Sequence, residues 1–375
     1  MNALMYIGMF MAGFLTLLVS VKKERETYDY ILMAWLVLNA GSLFFFYHDF
    51  NYPTRYLNLE LAAALLPFIT APFLYFYVCA LVLPRRFEFK RYLYHFIPFL
   101  FMYGSVLYFG PEANIRVEEG FIQMNGNAPW QLRWYGMILA TSSFLYPTLS
   151  LYLLFRHRNR IKNEFSNLEK INLNWLRYWI IVSMLGFWFS FVIIWAGSFQ
   201  WIDFLTSFKG VASAIVVNIA VIGFYGVKQT TIFSNVQGGL PTPETPAKAE
   251  RYASSKLDQE EASELVAKLK AYMDTEKPYL DSQLSLESLA HQTGMTKHDL
   301  SQVINDQLAT NFFGFVNEYR VRDFKLRLQD PGFEHYTLLG IALETGFNSK
   351  SSFNTLFKQR TGKTPSEYKK THKTP

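Results

Sequence analysis

Seven apolar runs, each near the roughly 20 residues that carry a helix across about 30 Å of hydrocarbon, fill most of the chain before Lys228 and decide what that part can fold into. They extend approximately over Asn2 to Val21, Tyr30 to Tyr47, Leu59 to Leu83, Tyr92 to Phe109, Leu132 to Phe155, Trp175 to Gly197 and Trp201 to Val227. Hydrocarbon offers backbone groups no water, so each run is expected as a helix with its hydrogen bonds closed internally. No basic residue precedes the first run, Lys22, Lys23 and Arg25 follow it, and no small-residue cleavage site stands out. It therefore reads as an uncleaved membrane helix rather than a signal peptide. Residues 1–230 are expected to be a seven-helix transmembrane bundle and a sensor domain.

Positive charge orients such a bundle, because Lys and Arg accumulate in cytoplasmic loops. The loops after runs one, three and five carry Lys22, Lys23 and Arg25, then Arg85, Arg86, Lys90 and Arg91, then Arg156, Arg158, Arg160, Lys162 and Lys170. The opposite loops carry Arg55, Arg116 and Arg133. The N-terminus is expected outside and everything after run seven in the cytoplasm. Ser198 to Gln200 separate the last two runs, so a tight outer turn is required.

Ionisable groups at depth usually face a bundle interior or a wet cavity. Lys209 lies about two turns into run seven, and Asp203 and Glu60 lie towards the same outer side. These three are the candidate sensing residues for an unknown signal ligand; the alternative is that Lys209 snorkels or pairs structurally. Asn39 and Asn218 are expected to hydrogen-bond between helices. The outer segment from Gly110 to Gln131 is either a lid or a connection. Cys79 is the single cysteine, which excludes an intrachain disulfide.

From Ser234 to Lys256 the composition turns to Gly, Pro, Thr and Ala, as in an extended linker. Residues 231–256 are read as this linker, a tether or a cleavage site, and 257–375 as a second domain. In that domain, Asp258 to Thr275 places Leu265, Val266, Leu269, Tyr272 and Met273 on one helical stripe, which either covers the remainder of the domain or dimerises.

The stretch Thr337 to Tyr368 reads as a helix-turn-helix, with an ordinary helical corner as the alternative on its spacing alone. Leu338, Ile341 and Ala342 fall at helical spacing, Gly346 suits a turn needing positive φ, and Ser349 can cap a second helix that buries Phe353, Leu356 and Phe357. The opposite side of that second helix carries Lys350, Ser351, Asn354, Thr355 and Lys358, groups suited to base edges and phosphates. Thr364-Pro365-Ser366-Glu367 then forms a capping box with proline at the first helical position.

The pattern occurs twice. Leu286, Leu289, Ala290, Gly294 and Met295 match Leu338, Ile341, Ala342, Gly346 and Phe347 at one offset. Leu300, Val303 and Ile304 match Phe353, Leu356 and Phe357 at an offset one residue larger, so the second turn holds one more residue. The units span about 284–307 and 337–360. Between them Asn311 can cap a linker helix over about 312–328, ending before Asp330-Pro331-Gly332. Such a helix is about 25 Å long, comparable to the roughly 34 Å between successive major-groove faces. The expected fold class is all-α throughout.

The words GF, SSFNTLFK and GKTPSEY, in that order and spacing, closely resemble the C-terminal pattern of AraC/XylS-family bacterial transcriptional regulators. The resemblance covers about Leu284 to Lys370. It implies base-facing contacts from His298, Ser301 and Gln302 in the first unit and from Lys350, Ser351, Asn354 and Thr355 in the second, with Lys297, Lys358 and Arg360 serving phosphates. Arg320 and Leu328 fit the family pattern, but Phe324 stands where a small residue is common, so altered packing is expected there. The first unit lacks an Arg for a bidentate guanine contact, and Asp299 and Asp306 would repel phosphates they faced.

Together these features imply a membrane-bound, sequence-specific transcription regulator of the bacterial plasma membrane. Its expected partners are double-stranded promoter DNA, the lipid bilayer, RNA polymerase and a second copy in a homodimer; no cofactor is implied. The alternative is a membrane receptor or transporter whose cytoplasmic helical domain binds proteins. An enzyme finds no support: the histidines form no metal-ligand cluster, and neither a Gly-rich phosphate loop nor a nucleophile elbow is present.

Overall fold

The computed structural model describes residues 2–51, 65–83, 87–109, 116–118, 121–123, 135–168, 173–198, 201–233 and 258–372. The chain forms two units, Met1–Phe155 with Leu173–Thr242, and Arg156–Asn172 with Pro243–Pro375. Glu60, Arg85, Arg86 and the linker expectation for 234–256 lie outside the described residues.

Unit one is helical: α1 Asn2–Ser20, α2 Thr27–Asn51, α3 Leu66–Val82, α4 Ile97–Phe109, α5 Tyr135–Glu164, α6 Asn174–Ser198 and α7 Phe204–Phe233, with the end of α5 passing into unit two. Its core gathers Met5, Leu36, Tyr77 and the Trp35 and Trp179 rings, whose centroids lie 5.4 Å apart. Small residues set the helix approach. A Cβ on Gly8 would come within 2.6 Å of Leu43 and 2.7 Å of Val216, so this glycine lets α1 lie close to α2 and α7. The α1–α2 turn is held by Lys22, whose Nζ lies 2.8 Å from the buried Asp29 carboxylate.

By length and composition, four helical stretches among the described residues can cross a membrane: Asn2–Ser20, Thr27–His48, Met137–Glu164 and Asn174–Ile194. Leu66–Val82 and Lys209–Tyr225 are shorter apolar stretches. The departure from seven equal runs is clearest between Tyr92 and Phe109. Phe89–Phe96 winds as a 3₁₀-helix and Ile97–Phe109 alone is α-helical. Pro98 has no N–H to continue an i→i−4 ladder back into the preceding turn, which accounts for the break. Among the described residues all-α holds with one exception: Arg116–Glu118 and Phe121–Gln123 pair as two short antiparallel strands between α4 and α5.

Asn218 donates to Ser183 Oγ at 3.1 Å and so links α7 to α6, the interhelical bond expected of this amide. Asn39 instead donates to Trp35 O at 2.8 Å, one turn back on its own helix. The expectation of an interhelical bond there is corrected: the i−4 carbonyl was the nearer acceptor.

Unit two contains α8 Gln259–Thr275, α9 Leu286–Thr293, α10 Lys297–Gln302, α11 Phe312–Gln329, α12 Leu338–Glu344, α13 Lys350–Thr361 and α14 Pro365–His372, with a π-turn over Val303–Gln307 extending α10. The caps follow local chemistry. Ser285, Thr296, Asn311, Thr337 and Ser349 each accept a backbone N–H from three residues ahead, at 2.8–3.2 Å. Thr364 and Glu367 close the reciprocal capping box.

Two small cores sit on one helix. Leu289, Leu300, Val303 and Ile304 pack with Phe312, Phe315 and Val316 of α11, and Leu269 and Met273 of α8 cover that cluster. Ile341, Ala342, Phe347, Phe353 and Phe357 pack with Val321 and Phe324 farther along α11. The α8 stripe therefore buries against its own domain.

Candidate nucleic-acid interface

Both helix-turn-helix units take the geometry their spacing requires. Gly294 and Gly346 occupy positive φ, 64° and 91°, where a side chain would be strained. At Gly346 a second constraint applies, because a Cβ would lie 2.3 Å from Tyr279 O. The caps Thr296 and Ser349 are matched at the larger offset, so the additional turn residue lies between Gly346 and Ser349.

The second unit presents the expected face. Lys350, Ser351, Asn354, Thr355 and Lys358 are all exposed on α13, while Phe353 and Phe357 are buried on its other side. Lys358 and Arg360 stand in the last turn of α13, where the C-terminal carbonyls favour cations. Arg360 is already engaged: its Nη1 lies 3.0 Å from Glu318 and its Nη2 donates to Gly314 O at 3.2 Å.

The first unit is more closed. His298 is exposed near the start of α10, but Ser301, Gln302 and Lys297 are half-buried, and Ser301 Oγ accepts from Asn305 at 3.1 Å. Asp299 does not project as a free carboxylate, since Thr296 Oγ1 donates to it at 2.6 Å within the cap. Phe324 is fully buried, its ring centroid 4.6 Å from Phe353 and 5.3 Å from Phe357, so the large residue fills the second core.

The node that sequence reasoning passed over is Arg320 on α11. It is buried, and each N–H of the guanidinium has an acceptor. Nε donates to Tyr279 O at 2.8 Å, Nη1 to Ser166 O at 3.2 Å and Asn317 Oδ1 at 3.3 Å, and Nη2 to Asp281 O at 2.8 Å and Ser166 Oγ at 3.1 Å. Burial pulls its pKa down to about 10, with Asp281 opposing, so it stays charged at neutral pH. Its fit to the family pattern was the available signal; its partners lie 3 to 154 residues away.

Of the sensing candidates, Asp203 and Lys209 are both exposed, and the Asp203 carboxylate caps α7 by accepting Thr206 N at 2.8 Å.

Paired helix-turn-helix units on one supporting helix define a helix-turn-helix domain. The comparisons agree: residues 289–371 match the family described as a helix-turn-helix domain. An uncharacterized HTH-type transcriptional regulator of Staphylococcus aureus strain COL is 35% identical over 86 residues, which is 23% of this chain and 11% of that protein. The corresponding regulator of strain MSSA476 is 35% identical over 86 residues, with the same coverage. The chain thus spans about a tenth of the length of these curated relatives. No solved structure matches.

Proposed function

We propose that this chain is a membrane-bound, sequence-specific DNA-binding transcription regulator with an AraC-type double helix-turn-helix domain, whose seven-helix membrane unit senses a signal and controls DNA binding. The observation that carries the DNA-binding part is the exposed polar row Lys350, Ser351, Asn354, Thr355 and Lys358 on a helix whose other face is locked into the core by Phe353 and Phe357. Lys350, Ser351, Asn354 and Thr355 read base edges, joined by His298, Ser301 and Gln302 of the first unit. Lys297, Lys358 and Arg360 hold phosphates. α11, about 27 Å long at 1.5 Å per residue, separates the two readers by a distance comparable to the roughly 34 Å between successive major-groove faces.

In this reading the chain crosses the bacterial inner membrane seven times, with its N-terminus outside and residues 257–375 in the cytoplasm, and engages promoter DNA, RNA polymerase and a second copy. Helices able to cross a membrane support the first part; the loop charge pattern supports the orientation. Lys209, Asp203 and Glu60 are the proposed sensing residues.

The test is selection of duplexes from a random pool by the full chain in lipid nanodiscs. Enrichment of a defined sequence is expected, with affinity falling steeply as salt rises. No enrichment at low salt would overturn the DNA-binding reading. For the sensing part, Lys209→Leu is expected to alter a reporter response while leaving membrane insertion and duplex binding intact.

A further inference from the structure

The connection that follows α5 is built into the DNA-binding unit. Phe165 and Ser285 form an antiparallel bridge, with Ser166 N donating to Leu284 O at 3.3 Å and Ser166 Oγ to the same carbonyl at 2.6 Å. Ser166 O accepts from Asn317 Nδ2 at 2.9 Å and from Arg320 Nη1 at 3.2 Å, while Ser166 Oγ accepts from Arg320 Nη2 at 3.1 Å. Ser166, Leu284, Asn317 and Arg320 are each 1% exposed. Two of the acceptors of the Arg320 guanidinium are thus atoms of a residue 154 positions away, outside the helix-turn-helix domain altogether.

Position gives this contact leverage. Leu284 and Ser285 are the last residues before α9 of the first unit; Asn317 and Arg320 lie at the middle of α11. Arg320 Nε also lies where a Cβ on Gly346 would come within 2.9 Å, so the turn of the second unit rests against the same guanidinium. One tetrad therefore touches the start of the first unit, the supporting helix and the turn of the second.

The chemistry favours a reversible contact. A buried guanidinium needs all its donors satisfied, and Ser166 supplies acceptors that water can replace once the segment leaves. The hydrogen bonds of Ser166 with Arg320, Asn317 and Leu284 can each be exchanged for one with water as the segment leaves.

We propose that Phe165 and Ser166 are a docking strand through which the α5–α6 connection grips the two readers at Arg320 and Asn317, and that docking and DNA binding are energetically coupled. The inference rests on reading unit one as the sensor, because α5 is one continuous helix from Tyr135 to Glu164 that ends directly at the docking strand. It adds a second route for the signal besides the 231–256 linker.

The experiment uses the full chain in nanodiscs with Cys79→Ser, which leaves no other thiol. Phe165→Cys and Ser285→Cys then form a non-hydrogen-bonded antiparallel pair, the arrangement in which side chains come closest. A protease site placed in the linker releases the C-terminal fragment unless a disulfide retains it. The expected result is retention under mild oxidant, much faster than for a control pairing Phe165→Cys with Glu334→Cys. Adding Ser166→Ala and Asn317→Ala is expected to slow it severalfold, and specific duplex is expected to change the rate, since coupling is reciprocal. In the uncross-linked chain the same two alanines should change duplex affinity on the order of fivefold. Cross-linking no faster than the control, or a duplex affinity untouched by the two alanines, would overturn the proposal. If no duplex binds any version while the cross-link forms, the DNA-binding reading fails and the docking strand stands.

Discussion

Arg360 on α13 is tied to Glu318 on α11, with Nη1 3.0 Å from the carboxylate and Nη2 donating to Gly314 O at 3.2 Å. The guanidinium proposed for a DNA phosphate is thus held, in the free protein, by the helix that carries both readers. Both side chains are partly exposed, so the pair contributes only about 0–1 kcal/mol. A phosphate and Glu318 compete for one cation. Glu318→Gln is therefore expected to tighten duplex binding about two- to fivefold at low salt while leaving exchange protection in α11 and α13 nearly unchanged. Fluorescence anisotropy checks it, and unchanged or weaker binding would remove Arg360 from the phosphate contacts.

The two cores should fail separately. Phe324 is fully buried between Phe353 and Phe357, and truncating it to Ala is expected to cost about 3–5 kcal/mol, as for other buried aromatics. Gly346→Ala would place a Cβ 2.3 Å from Tyr279 O at a φ of 91°, so at least about 2 kcal/mol is expected from strain and displacement. Hydrogen exchange on the full chain is the suitable readout, because a single unfolding free energy is poorly defined for a chain with two units. Amides of α12 and α13 should lose protection in the Phe324→Ala variant while α9 keeps its own. Equal loss in both would show that the cores are one cooperative block.

The double helix-turn-helix was legible because its determinants are local. Ser285, Thr296, Asn311, Thr337 and Ser349 are caps by virtue of the residues three positions ahead, and the larger offset between Leu300 and Phe353 located the additional residue in the second turn. What escaped was set by distant partners. Apart from Asn317 one turn back, Arg320 takes its acceptors from the turn around Tyr279 and from Ser166, neither of which any periodicity connects to α11. Arg360 looked free for the same reason, as Glu318 is 42 positions earlier. In unit one, hydropathy located the apolar runs, but the broken helix at Pro98 and the in-helix bond of Asn39 depend on backbone geometry that hydropathy does not encode.

Acid should loosen α14 before the helices that precede it. The Glu367 carboxyl is held below its usual range, first by the Thr364 N–H and then by the Thr364 hydroxyl, with Lys358 and Lys363 adding to the effect. A carboxylate with a lowered folded pKa contributes stability that is present above its unfolded pKa, near 4.3, and lost as pH falls through the folded value. Exchange protection in α14 is expected to be level from pH 7 to about 5 and to drop below about 4. Glu367→Ala should abolish that drop, with protection below that of the wild type above about pH 5 and the two converging at lower pH. A pH profile the same in the variant would mean that the box does not hold this helix.

The base reading and phosphate holding proposed for α13 are separable by their salt dependence. Asn354 and Lys358 are both exposed, one turn apart, on the face opposite Phe353 and Phe357. An amide that bonds a base edge discriminates between sequences but releases no counterion. An ammonium on a phosphate releases one and is indifferent to the base. Asn354→Ala is therefore expected to cost about 1–3 kcal/mol on the selected duplex and to relax preference at one base position, with an unchanged slope of log affinity against log salt. Lys358→Ala should weaken selected and random duplexes alike and reduce that slope by about 1. If Lys358→Ala instead changed sequence preference at constant slope, the two roles would have to be exchanged, and α13 would lie in the groove rotated from the orientation its buried phenylalanines now imply.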